Sequence, residues 1–403
     1  MKVAMIVSRF LPARGGIINQ VILLANELIK RGVEVEIHTG NVTFIGDKRV
    51  LLPLSRLNFD GLSIVIERDM LPVAPLHVRN LKISEDVDVI NIRGHAELFT
   101  ISALLRLYKT PKPIVVTTHG GLVASLLLPL IKHHISLDFR KYIIAKLKNL
   151  ITRNVVVRLI NKRVSMIIPY NEIEKKVLII HGIDPARIHV ISNYVPDEYF
   201  EFKPREEVLE EYGLRPYEYI ITVSRIDYNK SLDQVIRAVA DLRKQGIEVT
   251  YVMLGPDEGA LNYYLELANK LDIMNYVKYL GVIKKERSKL LTLLHYSRAF
   301  VLPSRIEGQS NAVIEAMTQK TPVIISNTAN FIGRLVRQSE NGFVFRYGDI
   351  SSLTNYLRKL FEDVGLRDKL GENAFKYAYE HHRLSKATDE YIKIFKMILS
   401  ETR

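Results

Sequence analysis

The sequence predicts an α/β protein built from two Rossmann-like domains, each a parallel sheet made of βα units. Three observations carry this prediction: a length of 403 residues, short β-branched runs that alternate with helical patterns, and a break near residue 192 after which the alternation starts again. A chain of this length exceeds an ordinary single domain, so two domains of roughly 200 residues are expected. Hydrophobic residues make up 47% and charged residues 25%, which is the composition of a globular protein.

The first half opens with strand, loop and helix. Residues 2–7 form an apolar strand, a loop ends in Gly15-Gly16, and apolar residues then recur at i, i+3, i+4 and i+7 of a helix that Gly32 ends. Further strands are predicted at 33–39, 87–92, 113–118, 164–168 and 188–191.

The second half repeats this plan. Residues 192–216 contain three prolines and many acids, which is typical of a linker with a short helix. Five strands are then predicted, at 218–223, 248–254, 277–280, 299–303 and 322–326. Apolar residues at helical spacing between Tyr391 and Leu399 predict a closing amphipathic helix. We therefore predict domains at 1–195 and 196–375, with a closing helix over 376–403 that packs back on the first domain.

The net charge of +13 belongs mainly to the first half, where residues 1–200 carry 27 basic and 17 acidic side chains. Basic surface attracts nucleic acid, anionic lipid or phosphorylated small molecules alike. The absence of cysteine excludes disulfides and thiolate metal sites and fits a reducing cytoplasm. The apolar run before Ser8 is too short for a signal peptide, and no stretch is long enough to span a membrane. We expect a cytoplasmic protein that is soluble or at most lies on a membrane surface.

A polar loop and helix at residues 301–317, VLPSRIEGQSNAVIEAM, follow a buried strand. Ligands of open α/β sheets bind at the carboxyl ends of strands, where this loop lies. A helix that begins near Asn311, a good N-cap residue, offers backbone N–H groups to a phosphate, and Gly308 lets the backbone approach a ligand. Glu307 and Glu315 flank the same place, so the ligand is expected to carry hydroxyl groups as well as phosphates.

Two cations, Arg225 and Lys230, follow strand 218–223 of the same domain. Their positive charges suit the two negative charges of a diphosphate. Each charged residue alone is also typical of a solvated surface. Together with the two carboxylates they predict a site for a ligand that carries both a diphosphate and sugar hydroxyl groups.

These features, with Gly15-Gly16 and His119 after strand 113–118, resemble the GT-B glycosyltransferases, in particular the retaining family 4 (glycosyl transferases group 1). The resemblance covers nearly the whole chain and implies two Rossmann-like βαβ domains that face each other across a donor/acceptor cleft. It also implies a hexosyltransferase that takes its sugar from a nucleotide-diphosphate sugar, whether UDP-, GDP- or ADP-linked, and retains the anomeric configuration of that sugar.

The resemblance assigns a role to each matching residue. It implies catalytic roles for His119, Arg225, Lys230 and Glu307. It implies contact with the donor for Gly15, Gly16, Gly281, Val282, Gly308, Gln309, Ser310, Asn311 and Glu315, with Glu315 on the ribose and the 281–282 backbone on the base. Gln309 and Ser310 differ from the residues that are most common at these positions in the family, which leaves the identity of the donor sugar open. Since two cations and a helix N-terminus can stabilise the leaving diphosphate, we expect no obligatory cofactor or metal ion.

The acceptor is expected on the first domain and is a sugar, lipid-linked or phosphorylated compound. Residues 131–163 carry nine basic side chains against one acid, Asp138, and contain an amphipathic helical pattern. This stretch is typical either of a helix resting on an anionic membrane or of a solvated helix packed on its own domain. Arg93 and His95, after strand 87–92, are weaker candidates for the acceptor side.

Three other classes of protein share some of these sequence features. A nicotinamide dehydrogenase requires Gly-x-Gly-x-x-Gly after the first strand, and Gly15-Gly16 is not that pattern. A GT-B nucleotide-sugar epimerase shares the architecture and stays open. A basic nucleic-acid-binding protein also stays an alternative, but no recognisable module and no interleaved aromatic residues favour it, so no nucleic-acid partner is expected.

Overall fold

Two parallel sheets organise the chain in the computed structural model, each at the centre of its own unit. The structure describes residues 1–8, 10, 16–45, 48–53, 55–59, 61–67, 81–94, 97–119, 157–283 and 286–402. One unit comprises Met1–Asn193 with Leu384–Arg403, and the other Tyr194–Arg383. We call them the first and the second unit.

The first unit contains a seven-stranded sheet in the order β5-β6-β2-β1-β7-β8-β9, parallel except for the β5–β6 pair. A two-stranded antiparallel pair, β3–β4, lies outside it. Central strands such as β1 are buried on both faces, which explains their continuous apolar sequence. The strands are β1 (Lys2–Val7), β2 (Glu34–Gly40), β3 (Val42–Ile45), β4 (Lys48–Leu51), β5 (Ser55–Phe59), β6 (Leu62–Glu67), β7 (Val89–Arg93), β8 (Ile114–Thr117) and β9 (Met166–Ile168).

Four described helices of the first unit come from its N-terminal part, and a fifth is the last helix of the chain. They are α1 (Gly16–Lys30), α2 (Glu97–Arg106), α3 (Val157–Arg163), α4 (Glu172–Ile180) and α12 (Leu384–Thr402). Asn171 caps α4, since its side chain accepts hydrogen bonds from two backbone N–H groups of the first turn. The last helix buries Tyr391, Ile394, Phe395 and Ile398, the stripe that the sequence pattern predicted.

The second unit contains a six-stranded parallel sheet in the order β12-β11-β10-β13-β14-β15. Relative to the first strand of this unit, the order is the 3-2-1-4-5-6 of a doubly wound dinucleotide-binding fold. The strand order reverses between β10 and β13, and this is the point where such sheets bind ligands. The strands are β10 (Tyr219–Val223), β11 (Thr250–Leu254), β12 (Val277–Tyr279), β13 (Ala299–Leu302), β14 (Val323–Ser326) and β15 (Gly342–Phe345).

In the described part of this unit, seven α-helices and several short 3-10 helices surround the sheet. The α-helices are α5 (Asp233–Lys244), α6 (Leu261–Lys270), α7 (Arg287–His295), α8 (Asn311–Thr318), α9 (Asn327–Gly333), α10 (Ile350–Glu362) and α11 (Val364–His381). Apolar residues on both faces of the sheet form the core, with Tyr251 and Ile324 on one side and Phe300 and Ile325 on the other.

Each predicted strand except one coincides with an observed parallel strand to within about two residues. Residues 188–191 were predicted as a strand, but Ile188 makes only an isolated bridge to Ile167. The sequence did not predict β3–β6, whose pattern is not a simple apolar run, or β15, the short strand that pairs in parallel with β14 at the edge of the second sheet. The residues that the structure describes include no helix long and apolar enough to cross a bilayer. Residues 131–156 of the basic stretch lie outside the described residues.

Candidate functional site

Two loops flank the topological switch point of the second unit. One follows β10 and carries Arg225 and Lys230, and the other follows β13 and carries Glu307. The backbone N–H of Arg305 donates to the carbonyl of Asn229 over 2.9 Å, so the two loops are joined at their backbones. The sheet topology thus brings together residues that the sequence separates.

Lys230 and Glu307 form an ion pair across these loops, with the ammonium of Lys230 donating to Oε1 of Glu307. Both side chains are largely buried, at 14% and 16% exposure. Partial burial strengthens such a pair because less water screens it. The predicted phosphate-binding cation and the predicted sugar-binding carboxylate therefore contact each other directly.

Arg225 lies in the same loop but makes different contacts. Its guanidinium pairs with Glu258 in the loop after β11 and lies 3.3 Å from Oδ2 of Asp227. Asp227 also accepts the backbone N–H of Asn229 at 2.8 Å and so shapes the turn that leads to Lys230. Arg225 is about half-exposed, which leaves it accessible to a ligand at the strand end.

The loop after β13 enters α8 through Ser310. Asn311 is the first helical residue, and Ser310 occupies the N-cap position without a side-chain hydrogen bond to the first turn. The helix start is as predicted, whereas the N-cap residue is one position earlier than predicted. The loop packs closely on the end of α9, where Gln309 Nε2 donates to the carbonyl of Gly333 over 3.4 Å. Gly308, in contrast, has no heavy atom within 4 Å of the position of an added Cβ.

Glu315 lies one turn into α8 and is almost fully buried, at 5% exposure. Its Oε1 lies 2.8 Å from a guanidinium nitrogen of Arg287, the first residue of α7. The Nε of Arg287 in turn donates to the hydroxyl of Tyr199 over 2.8 Å. Burial raises the pKa of Glu315, and the charge of Arg287 acts in the opposite direction.

The backbone at Gly281 and Val282 follows β12, the strand at one edge of this sheet. Gly281 adopts a left-handed φ of +64°, and its carbonyl accepts the N–H of Gly255 over 2.7 Å. An added Cβ at Gly255 would lie only 1.8 Å from the carbonyl oxygen of Ser224, so this position requires glycine. Val282 is exposed at the end of this loop.

The remaining predicted residues belong to the first unit, and His119 is the best described. His119 follows β8 with a left-handed φ of +47°, and its Nδ1 contacts the hydroxyl of Tyr170. The carboxylate of Glu174 accepts from the hydroxyl of Thr118, the residue before His119, over 2.9 Å and from the N–H of Tyr170 over 3.2 Å. Gly16 begins α1, and Gly15 lies outside the described residues.

Arg93 was predicted in a loop after a strand that ends at residue 92, but it is the last residue of β7. Its side chain is fully buried, and it donates to the carboxamide oxygen of Asn91 at 3.4 Å and to the hydroxyl of Tyr391 at 3.3 Å. The guanidinium therefore helps to hold α12 on the first unit instead of lining an open loop. His95 lies outside the described residues.

The sequence did not point to Arg287 and Glu258, which contact the predicted site residues Glu315 and Arg225, or to Tyr199, which contacts Arg287. Their contacts depend on helix packing and on neighbouring loops, which no sequence spacing reveals. Across the described ranges, no three His, Cys, Asp or Glu side chains are grouped so that they could hold a metal ion.

Both halves of the chain match known families. Residues 14–199 match the family model described as Glycosyltransferase Family 4, and residues 204–377 match the one described as Glycosyl transferases group 1. The alpha-D-kanosaminyltransferase of Streptomyces kanamyceticus is 25% identical over 216 residues, which are 53% of this chain and 55% of that protein. The chain thus spans about half the length of this curated relative and less of others.

Solved structures show the same architecture over almost the whole chain. Anabaena HepE in complex with UDP and glucose has a TM-score of 0.75 at 16% identity and covers 98% of this chain and 100% of its own. Sucrose-phosphate synthase from Thermosynechococcus elongatus has a TM-score of 0.76 at 16% identity and covers 99% of both chains. At these identities the likeness establishes the fold. With each half matched by a glycosyltransferase family model and with both parallel-sheet units present, the chain belongs to the GT-B glycosyltransferases of the family 4 type.

Proposed function

We propose that this chain is a retaining hexosyltransferase that moves a sugar from a nucleotide-diphosphate sugar to a hydroxyl acceptor. The observation that carries the proposal is the Lys230–Glu307 ion pair at the switch point of the second unit. A cation suited to phosphate and a carboxylate suited to sugar hydroxyls lie side by side where such a sheet binds ligands. Family membership of both halves supports the same conclusion.

The donor is proposed to lie along the carboxyl edge of the second unit's sheet. In this proposal Arg225 and Lys230 bind the diphosphate, Glu307 and the backbone of residues 308–311 bind the sugar and its phosphate, and Glu315 binds the ribose. The base would contact the backbone at Gly281 and Val282. The left-handed backbone at Gly281 supports this assignment, since no heavy atom lies within 4 Å of the position of an added Cβ there and a ligand can approach.

Charge stabilisation would be the main catalytic task of this site. As the bond between the sugar and the diphosphate breaks, negative charge grows on the departing phosphate oxygen, where Arg225, Lys230 and the N-terminus of α8 can stabilise it. Donor binding would replace the Lys230–Glu307 contact, because the phosphate takes the ammonium and the sugar hydroxyls take the carboxylate. Attack from the face of the leaving group gives retention, and no divalent ion is required in this scheme.

UDP is the nucleotide we propose to test first, because HepE was solved in complex with UDP and glucose. The acceptor is proposed to be a sugar, lipid-linked or phosphorylated compound held by the first unit. The basic stretch at 131–163 suits an anionic acceptor or an anionic membrane surface on the cytoplasmic side. Within the first unit, the left-handed backbone of His119 supports its proposed catalytic role. Roles for Gly16, Arg93 and His95 stay predictions.

A thermal-shift panel tests the donor part of this proposal. UDP, GDP, ADP and their common sugars are added to the wild type, to Lys230→Met and to the control Lys320→Met, whose ammonium pairs with Glu372 outside the site. A ligand that binds only the folded state raises its stability by mass action. We expect one nucleotide series to stabilise the wild type and the control but not Lys230→Met. The absence of any shift in the wild type would contradict the proposal.

The reaction type needs a second measurement with the nucleotide identified by the panel. Incubation of the nucleotide sugar with a sugar acceptor should give a glycosylated product with the donor's anomeric configuration, read by NMR. A change in the donor sugar itself without any transfer product would instead identify an epimerase.

A further inference from the structure

Arg287 lies beside Glu315, the proposed ribose-binding carboxylate, and has no role in the donor site proposed above. Its guanidinium contacts Oε1 of Glu315 at 2.8 Å and the hydroxyl of Tyr199 at 2.8 Å. Glu315 is almost fully buried, whereas the Arg287 side chain is 46% exposed. The arginine is therefore the more exposed partner of a carboxylate that is proposed to bind the donor.

We propose that Arg287 is a positioning residue for the donor: it fixes Glu315 so that Oε2 is presented to the ribose hydroxyls. This inference rests on the proposed function and deepens it, because it identifies a determinant of nucleotide affinity outside the residues assigned so far. Arg287 itself need not touch the ribose.

The first reason is electrostatic. A carboxylate buried to this extent loses its hydration, and burial favours its neutral form unless a cation lies beside it. A neutral carboxyl group accepts fewer hydrogen bonds than a carboxylate, which can receive two ribose hydroxyls. Arg287 opposes the effect of burial and so favours the ionised form of Glu315, the form that accepts both hydroxyls.

The second reason is geometric. Arg287 is held by Tyr199, which is buried in a 3-10 helix at Asp197–Tyr199. The carbonyl of Tyr199 accepts from Nε2 of Gln319 over 2.9 Å, and Gln319 is the C-cap of α8. The helix that carries Glu315 is thus hydrogen-bonded to Tyr199, and Tyr199 accepts a hydrogen bond from Arg287. Because Arg287 also contacts Glu315, these contacts form a closed loop that includes the carboxylate. Such support restricts the direction of a ligand-binding group.

The alternative is an ion pair that stabilises the packing of α7 on α8 and has no effect on the donor. The two possibilities differ in their effect on nucleotide affinity and on its pH dependence. The charged and titratable groups around Glu315 are Arg287 on α7, Tyr199 on the 3-10 helix and, next to Tyr199, Glu198. Without the arginine, burial alone would act on Glu315 and raise its pKa further.

The test measures the affinity of UDP by calorimetry from pH 5.5 to 8.5 for wild type, Arg287→Met, Arg287→Lys, Glu315→Gln and Arg287→Met/Glu315→Gln. Lys289→Met is the matched control, since Lys289 lies on the same helix and pairs with Glu211 and Glu286. We expect Arg287→Met to bind UDP roughly tenfold more weakly at pH 8, the order expected for a lost charged hydrogen bond. Its affinity should fall further, by up to about tenfold per pH unit, as the pH drops and Glu315 takes up a proton.

Several outcomes decide between the possibilities. Partial rescue by Arg287→Lys, an unchanged Lys289→Met, and no added effect of Arg287→Met in the Glu315→Gln background would support the inference. Wild-type affinity for Arg287→Met at every pH, or an equal loss in the Glu315→Gln background, would overturn it. If Arg287→Met does not fold, Arg287→Lys carries the same comparison. Failure of UDP, GDP and ADP to bind the wild type would overturn the proposed function itself.

Discussion

Lys230 and Glu307 lie 77 residues apart in the sequence and form an ion pair between the loops that follow β10 and β13. In the structure the ammonium of Lys230 donates directly to the carboxylate of Glu307. A nucleotide sugar that binds here must exchange this contact for two new ones, from phosphate to Lys230 and from sugar hydroxyls to Glu307. The pair therefore makes substitutions at the two positions interdependent.

Lys230→Met is expected to lower kcat/KM for sugar transfer by roughly 10²–10³-fold, the usual cost of removing one preorganised charge from a developing anion. Glu307→Gln should lower it comparably, and the double variant should cost much less than the product of the two losses. Steady-state transfer rates with the identified donor provide the measurement. Lys320→Met is the control, and more than half of the wild-type rate in Lys230→Met would remove Lys230 from the mechanism.

Gly308→Ala separates binding from folding in the same loop. An added methyl group meets no protein atom within 4 Å, so the thermal midpoint should change little. Donor affinity should fall by about tenfold or more, since the methyl group occupies the place where the backbone is proposed to approach the phosphate. Thermal unfolding and UDP titration give the two readouts.

Gly255→Ala is the opposite case and the contrast for Gly308→Ala. Its Cβ would collide with the carbonyl oxygen of Ser224, and its φ of +142° is unfavourable for alanine, so the folded state itself should be destabilised. Undiminished donor binding by Gly308→Ala would show that the loop backbone does not touch the donor.

The strand ends that carry this site could be predicted from sequence. Strands β10 and β13 are buried on both faces and read as continuous apolar runs, so the polar residues that follow them mark loops at the same sheet edge. Because β10 and β13 are neighbours in the sheet, the loops that follow them bring Lys230 to Glu307. Strands β3–β6 could not be recognised in this way, because they include antiparallel pairs such as β5–β6, where polar residues like Arg56 and Asn58 interrupt the apolar pattern.

Contacts made by long-range packing were beyond prediction from sequence. Arg287 meets Glu315 only because α7 packs beside α8, and no residue spacing specifies that crossing. Arg93 was expected near an acceptor, yet Tyr391, 298 positions later, meets it in the interior of the first unit. A charged residue at the end of a strand is exposed or buried according to what packs over it. The helix that covers Arg93 is α12, at the far end of the chain.

Glu36→Gln is expected to destabilise the first unit in a pH-dependent manner. Burial raises the pKa of Glu36, but the hydrogen bond and charge of His38, together with Lys2, lower it from 4.5 to about 2. A depressed pKa means that this carboxylate stabilises the fold fully above about pH 4.5 and loses its contribution between pH 4.5 and 2.

Urea denaturation of wild type and Glu36→Gln checks this pH dependence. The variant should be less stable by about 1–3 kcal/mol at pH 7, the cost of removing a partner from buried polar groups, and the difference should shrink as the pH falls toward 2. Glu34→Gln, exposed at the start of the same strand, is the control and should differ little from wild type at any pH. A difference that stays constant down to pH 2 would contradict the assigned pKa.

Glu174→Gln should show the reverse dependence. Burial raises the pKa of Glu174 to about 7, against the weaker effects of its hydrogen bonds from the N–H of Tyr170 and the hydroxyl of Thr118. Between its ordinary value of 4.5 and about 7, the folded state holds a proton that the unfolded state has released, so stability falls as the pH rises through this window and levels off above it.

Glutamine holds no titrating proton, so Glu174→Gln should gain stability relative to wild type as the pH rises from 5 to 8. Urea denaturation at half-unit pH steps measures the gain, with Glu172→Gln, 67% exposed on the same helix, as the control whose curve should run parallel to wild type. Parallel curves for Glu174→Gln as well would mean that this carboxyl group is ionised throughout. Glu174 accepts a hydrogen bond from the hydroxyl of Thr118, the residue directly before His119. In that case the group that supports the left-handed backbone of His119 at neutral pH would be an ionised carboxylate and not a neutral acid.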